Sequence, residues 1–378
     1  MKIYNKAVLP VGFLANGISA GIKRASRLDL ALFYSDIPLK VSAKFTTNTL
    51  PSASVLIDKQ HLRQSDYFKA LIVNSGNANC FTGKQGIEDA NKIIKELAKL
   101  LKTKKEAVLI SSTGIIGKRL PVAKIVKTLP RLIKGLSKER VNLAKKAILT
   151  TDTFPKEITA KFRLKGKTIT LCGIAKGAGM IAPNLATMLC FIFTDANITQ
   201  RALNKALDIA VDNSFNCITV DGCMSTNDTL ILLANGEAKN ELIDIEKNFS
   251  PFLKALNTIS VYLAKLIIRD AEGATKFIEI KVKEARTLKE ARQVALSIAN
   301  SNLFKTAMYG ENPNLGRIIA SIGACGIKVW EDNLKIKVSS LRKRDISVEV
   351  SLKRGDTSYT IYTADLTPEY IKINARYN

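Results

Sequence analysis

The sequence is short of the groups that most often carry chemistry. It holds one histidine, His61, in the charged stretch DKQHLRQSD, which reads as a solvated loop or helix end. A Ser-His-Asp triad would have to use that residue, so triad chemistry is not expected. Six cysteines are present (Cys80, Cys172, Cys190, Cys217, Cys223 and Cys325), and no two are spaced CxxC. With so little histidine, a Cys/His zinc site is not expected, and no metal is assigned. Most of the cysteines lie among small or apolar neighbours and read as reduced, buried thiols of a cytoplasmic protein. Cys223, in the polar stretch DGCMSTND, reads as exposed. No run of about 18 apolar residues occurs, so no membrane span is expected. Lysines precede an apolar stretch at the start, but Pro10, Gly12 and Gly17 break it too early for a secretory signal. No GxxxxGK[ST] loop occurs. Gly173, Gly177 and Gly179 lack the GxGxxG spacing, and no acidic ribose partner follows them.

What the sequence does have is cation. Net charge is +25, from 58 Lys+Arg against 33 Asp+Glu. A nucleic-acid partner is one reading of such an excess. The lysines, however, are scattered along helical faces, as in KIIKELAKLLKTKKEA and KIVKTLPRLIKGLSKERVNLAKKA, and aromatic content is only 6%. Stacking platforms are therefore scarce, and neither a nucleic acid nor a membrane is expected as partner.

The 378 residues suit two domains, and 46% hydrophobic content suits a globular chain. Short strand-like runs (KALIVNSGNA, EAVLISSTGIIG, KTITLCGIAKG) alternate with amphipathic helices such as IEDANKIIKELAKLLK and QRALNKALDIAVDNSF. A helix from Ser250 ends before Gly273. A strand, FIEIKVKEA, and a helix, LKEARQVALSIANSN, follow it. Strands IKVSS, ISVEVSLKRG, TSYTIYTADL and YIKINARYN close the chain. The fold class is α+β, with a domain boundary near Gly273 dividing 1–273 from a smaller α+β domain, 274–378.

The turn-rich segments next to the strands are where sites are usually built. They are NSGNANCFTG, SSTGIIG, TTDTFPK, KGAGM, DGCMSTNDT and YGENPNLGR. Together with KGAGMIAPNLATML, RDAEGATK and the C-terminal INARY, in this order over essentially the whole chain, they identify a resemblance. The sequence resembles the ornithine acetyltransferase family, also called glutamate N-acetyltransferase, of the cyclic arginine pathway. The resemblance implies a layered αββα catalytic domain. It also implies an inactive precursor that cuts itself between Ala186 and Thr187. The resulting fragments, 1–186 and 187–378, would stay together as an α2β2 assembly.

The resemblance makes Thr187 the nucleophile, with its freed α-amino group as base. Such an amine has an ordinary pKa of about 7.7–8.0, and a cation such as Lys176 would lower it. A base of that kind suits a protein with one histidine. Thr113 and Gly114 would form the oxyanion hole, where each donor is worth about 2.7–4 kcal/mol. Thr153, Lys176, Thr187, Glu272 and Asn374 would contact substrate. Lys176 can pair with a carboxylate, and Glu272, by charge complementarity, can hold the ornithine ammonium. The substrates implied are N-acetylornithine and glutamate. No cofactor is implied, but acetyl-CoA is the second donor in bifunctional members, and no motif here separates those from monofunctional ones. Members usually carry Ser or Thr five residues past the INA asparagine, whereas this sequence has Asn378 four residues past Asn374. That contact therefore falls to Asn378 or is missing. A hydrolase related to self-cleaving aminopeptidases is the alternative, since water or an amine can resolve an acyl-threonine.

Overall fold

A computed structural model describes residues 1–24, 27–183 and 188–376. Ala186, Thr187 and Asn378 lie outside these described residues.

Among the described residues the larger sheet has nine strands. Its path begins with β1 (Lys2–Tyr4), β6 (Lys156–Leu164), β7 (Lys167–Lys176), β8 (Leu189–Thr194) and β9 (Thr229–Ala234). It continues through β3 (Leu30–Phe45), β4 (Phe68–Asn77) and β5 (Val108–Ile115), and β2 (Phe13–Ile18) pairs with β3. The 16-residue β3 belongs to both halves. Its first part pairs with β2 and β4, Lys40–Phe45 pairs with β9, and the register shifts between Tyr34 and Leu39. That irregularity lets one sheet fold back on itself as two packed layers.

Side-chain alternation shows why the layers must be covered on both faces. In β8 every residue is buried. Leu189, Phe191 and Phe193 face one core, and Cys190 and Ile192 face another. In β4, Leu71 and Val73 share the first core with them, while Ala70 and Ile72 face outward. A strand apolar on both faces has to be covered on both. Between the layers, Phe193 meets Phe13 at 5.4 Å and Phe33 at 4.9 Å between ring centroids. Outside the first layer lie α5 (Gln200–Asp212) and α6 (Phe249–Arg269). Outside the second lie α2 (Gly83–Leu100) and α3 (Val122–Lys134). The order helix, sheet, sheet, helix is the α+β layering expected. A short helix, α4 (Val141–Ala147), closes one end of the inner core. α6 has the length and composition of a membrane span, but its apolar stripe, from Phe252 to Ile268, packs in the core against β6 and β7.

A second sheet, ordered β11 (Lys335–Val338), β12 (Asp345–Ser351), β10 (Phe277–Ala285) and β13 (Thr357–Ala364), has its own core. It is built with α7 (Leu288–Ala299), α8 (Asn302–Tyr309) and α9 (Leu315–Ala324). Thr219 ties it to the first, giving its amide to Tyr362 O at 3.0 Å and its hydroxyl to Asn300 Oδ1 at 2.7 Å.

Two sequence expectations are corrected. His61 is not solvated: it is buried in α1 (Ala53–Gln64), with Nδ1 2.8 Å from Val108 O. From the same helix Asp58 accepts the Ile110 amide at 2.8 Å. β5 is the edge strand, and these two side chains occupy backbone groups that a further strand would otherwise take. The polar look of DKQHLRQSD hid a face that covers a sheet edge. The closing segment YIKINARYN, as far as residue 376, is not a strand either. Its first six residues lie in α10 (Pro368–Ala375), where Thr367 caps the Tyr370 amide at 3.3 Å and Pro368 opens the first turn. Alternation favoured a strand, but the Thr-Pro cap fixes a helix start.

Phe193→Ala should destabilise the protein by about 3–5 kcal/mol in denaturant unfolding, because Phe13 and Phe33 both lose their common ring partner. A loss under about 1 kcal/mol would mean that the two layers are not locked by this cluster.

Candidate active site

At the mouth formed where β4, β5 and β7 end, one cavity collects residues from distant parts of the chain. Thr113, Gly114, Lys176, Glu272 and Asn374 all line it. Thr150, Thr151 and Asn227 line it too.

Thr113 and Gly114 lie near the end of β5, beside the irregular pairing of Gly76 and Asn77 in β4. Gly114 has φ +134, and a Cβ there would fall 2.3 Å from Gly76 C. No other residue fits that approach. Asn227 fixes the same strand ends, donating to Ala78 O at 2.7 Å and Ser112 O at 2.8 Å.

Lys176 closes β7 in the first layer and reaches across to the second. Its ammonium donates to Thr150 Oγ1 at 2.8 Å and Thr113 Oγ1 at 3.3 Å, and lies 3.9 Å from Asp152 Oδ2. Burial pushes its pKa down, opposed by Asp152. Asp152 has a fully buried side chain. It accepts from Lys156 Nζ at 2.5 Å, the Gly177 amide at 2.6 Å and the Thr150 amide at 3.0 Å. Burial opposes its ionisation, but the ammoniums of Lys176 and Lys156 outweigh burial and hold the carboxyl well below its ordinary range. Lys156 also donates to Asp270 Oδ2 just past α6. Two cations and two anions thus neutralise one another beneath the cavity.

On the opposite wall, Glu272 Oε2 accepts from Asn374 Nδ2 at 2.9 Å. A Cβ on Gly179 would come 2.4 Å from the same oxygen, so glycine lets the KGAGM turn lie against this carboxylate. Asp221 sets that turn, accepting the amides of Met180 at 2.6 Å and Ile181 at 3.0 Å. Tyr370 on α10 donates to the same carboxylate at 3.2 Å, tying the helix of Asn374 to the turn. Thr153 is not part of the lining. Its amide and hydroxyl both bond Asp270. Beyond the undescribed residues 184–187 the chain resumes at Met188, whose amide donates to Asp228 Oδ1 at 3.1 Å. Burial, opposed by that bond, pushes the Asp228 carboxyl well up. Among the described residues no three His, Cys, Asp or Glu side chains come together as a metal site.

Comparison with known proteins places the whole chain in a family. The ArgJ family model matches residues 14–378. This chain belongs to the ArgJ family. It is thereby an acyltransferase. It is 43% identical to the arginine biosynthesis bifunctional protein ArgJ of Caldanaerobacter subterraneus subsp. tengcongensis, over 98% of each chain. It is 42% identical to the protein of the same name from Geobacter sulfurreducens, over 97% of this chain and 98% of that one. A solved ornithine acetyltransferase from Mycobacterium tuberculosis, in complex with ornithine, is 34% identical, with a TM-score of 0.46. That match covers 49% of this chain and 99% of the other.

Within this ArgJ-family chain, sequence reasoning passed over the groups that hold the named residues in place. Asp152 and Lys156 stand in TTDTFPK, Asp270 in RDAEGATK, and Asp221 and Asn227 in DGCMSTNDT. Each motif was visible, and the signal was its unexplained acidic or amide residue. What could not be read was that Asp152 faces two lysines at once.

Asp152→Asn should cost about 3–5 kcal/mol at neutral pH, since it leaves buried ammoniums without their counter-charge. The sign with pH follows from the depressed native carboxyl. Its stabilisation is present above the ordinary value of 3.8 and is lost as pH falls through the lower native value. Acid unfolding of Asp152→Asn should therefore be shallower than that of the parent. Equal acid limbs would show that Asp152 is not the ionised partner described.

Proposed function

We propose that this chain carries an acetyl group from N2-acetylornithine to glutamate through an acetyl ester of Thr187, within arginine synthesis. The observation that supports it best is convergence. Thr113 and Gly114, Thr150, Lys176, Glu272 and Asn374 come from five separate segments and line one cavity. The relatives' shared name, arginine biosynthesis bifunctional protein, points the same way.

Maturation comes first. The Thr187 hydroxyl attacks the Ala186 carbonyl, the peptide C–N bond breaks, and water hydrolyses the ester. Fragment 1–186 keeps a carboxylate, and fragment 187–378 gains a free α-amino group. In transfer that amine takes the hydroxyl proton as Thr187 Oγ1 attacks the acetyl carbonyl. Donors at Thr113 and Gly114 stabilise the oxyanion. The C–N bond breaks, and ornithine leaves with the proton on its amine. The glutamate amine then attacks the ester, forming N-acetylglutamate and restoring the hydroxyl.

Lys176 is the buried cation of this cavity, and its charge favours the neutral form of a neighbouring amine. Glu272 receives the ornithine side-chain ammonium, with Asn374 holding its other contact. Thr153, expected from the resemblance to contact substrate, lies outside the lining of this cavity and holds Asp270 with its amide and hydroxyl. Acetyl-CoA is read as a second acetyl donor, an α2β2 assembly of the two fragments as the working form, and the cytoplasm as the compartment. The described cysteines are all unpaired, which suits that compartment.

Intact mass and N-terminal sequencing of the purified protein test the mechanism. Two fragments are expected, one beginning TMLCFIF, and Thr187→Ala is expected to give one uncut chain without transfer. Acetyl transfer by an uncut chain would overturn the N-terminal threonine mechanism. Glu272→Gln should raise KM for N-acetylornithine about tenfold or more, the worth of one charged hydrogen bond. An unchanged KM removes the ammonium assignment.

A further inference from the structure

Next to the catalytic cavity, and sharing Thr150 with it, lies a second and larger cleft of about 660 Å³. Its walls include Gly76, Asn77 and Ile115, the strand ends that also position Thr113 and Gly114. Six cationic side chains line it (Lys23, Arg24, Arg27, Lys118, Arg119 and Lys124), with no Asp or Glu in the described lining. Three of the six are engaged by protein groups. Arg119 pairs with Asp89 at 3.1 Å, Lys23 donates to Leu149 O at 2.6 Å, and Lys124 makes a long contact of 3.5 Å to Gly21 O. The charged side-chain groups of Arg24, Arg27 and Lys118 have no ion-pair or hydrogen-bond partner among the described residues. Burial, with the Arg27 guanidinium beside it, holds the Lys23 ammonium down to about 8.

Convex helix faces spread their lysines into water, where charges are screened and cost little. A concave wall is different: it focuses the field of its charges, and like charges there repel unless an anion enters. The cleft has the size of an ordinary small-molecule site. A single carboxylate is matched by one guanidinium. Six cations, two of them arginines without a partner, match several phosphoryl oxygens instead.

We propose that this cleft is a second binding site, for a multiply phosphorylated small molecule, with its phosphates held by Arg24, Arg27 and Lys118 and its other end reaching past Thr150 toward the catalytic cavity. The phosphate site stands apart from the acyl-transfer reading. Only its link to catalysis rests on that reading. The phosphates can come from an acyl carrier of the CoA type or from a free regulatory phosphate, and the test separates the two.

Titration calorimetry of the purified full-length protein, with CoA and with inorganic pyrophosphate at about 0.15 M salt, reads the site directly. Because the whole chain is strongly basic, adventitious attraction is the rival explanation, so charge-matched variants are compared. Arg24→Gln/Arg27→Gln/Lys118→Gln should weaken binding about tenfold or more. Lys92→Gln/Lys95→Gln/Lys99→Gln, on the exposed face of α2, removes the same charge and should change it less than about twofold. If the first triple variant melts early, Lys118→Gln alone serves, with a loss of about fivefold or more. CoA that binds and competes with acetyl exchange marks the acyl-carrier source. Binding of either probe without effect on exchange marks the free phosphate source, and both results keep the site. No saturable binding of either probe, or equal losses in the two triple variants, overturns it. Absent binding in a protein that still transfers acetyl from N-acetylornithine to glutamate would sink the cleft alone. Intact binding without that transfer would sink the acyl-transfer reading alone.

Discussion

Asp152 takes three donors into one buried carboxylate, and the architecture of the cavity depends on it. Lys156 anchors it to the start of β6 and, through Asp270, to the end of α6. The Gly177 amide brings in the turn after β7, and Lys176 stands at the same carboxylate from the other side. In a low-dielectric setting each of these charges would be costly alone. Held together they fix Lys176 in one position, pointing at Thr113 and Thr150. A lysine that also spans the gap between two sheet layers is pre-organised by its surroundings rather than by its own flexible stem.

The layered core explains how a chain cut at Ala186–Thr187 would remain one body. Strands β7 and β8 lie on opposite sides of that bond in sequence, yet they are hydrogen-bonded neighbours from Leu171 paired with Thr194 to Lys176 paired with Leu189. β3 and β9 are likewise paired across it. The inner core mixes Phe33, Leu71 and Ile174 from before the bond with Phe191, Phe193 and Ile231 from after it. A single broken peptide would leave these ladders and contacts intact. The segment that carries the bond begins and ends on buried strands, so both of its ends are held at the cavity.

Charge is distributed with the same economy. Beneath the cavity two lysines and two aspartates cancel, and the wall opposite carries Glu272. Next door, six cations face one cleft without a carboxylate among its described lining residues. The large positive excess of the chain is therefore not uniform. Much of it decorates helix faces such as that of α2, but part is concentrated in a concave place where a small anion would be attracted strongly.

The order of motifs and the apolar periodicity were legible in the residues alone. They give the α+β class, most of the helices and strands, and the membership that whole-chain comparison later shows. They do so because local periodicity and turn chemistry are local properties of the chain. The neighbours of each motif were decided only by the tertiary structure. No spacing rule places Asp152 between Lys156 and Lys176, or Asn374 against Glu272 across some hundred residues. His61 looked solvated because its neighbours in sequence are polar, yet it is buried because its neighbour in space is a sheet edge. The closing helix was hidden because alternating side chains mimic a strand, while a single cap residue, Thr367, turns the backbone the other way. Sequence set which groups were available. Packing set which of them share a buried site, because burial makes charges choose partners and partners can lie anywhere along the chain.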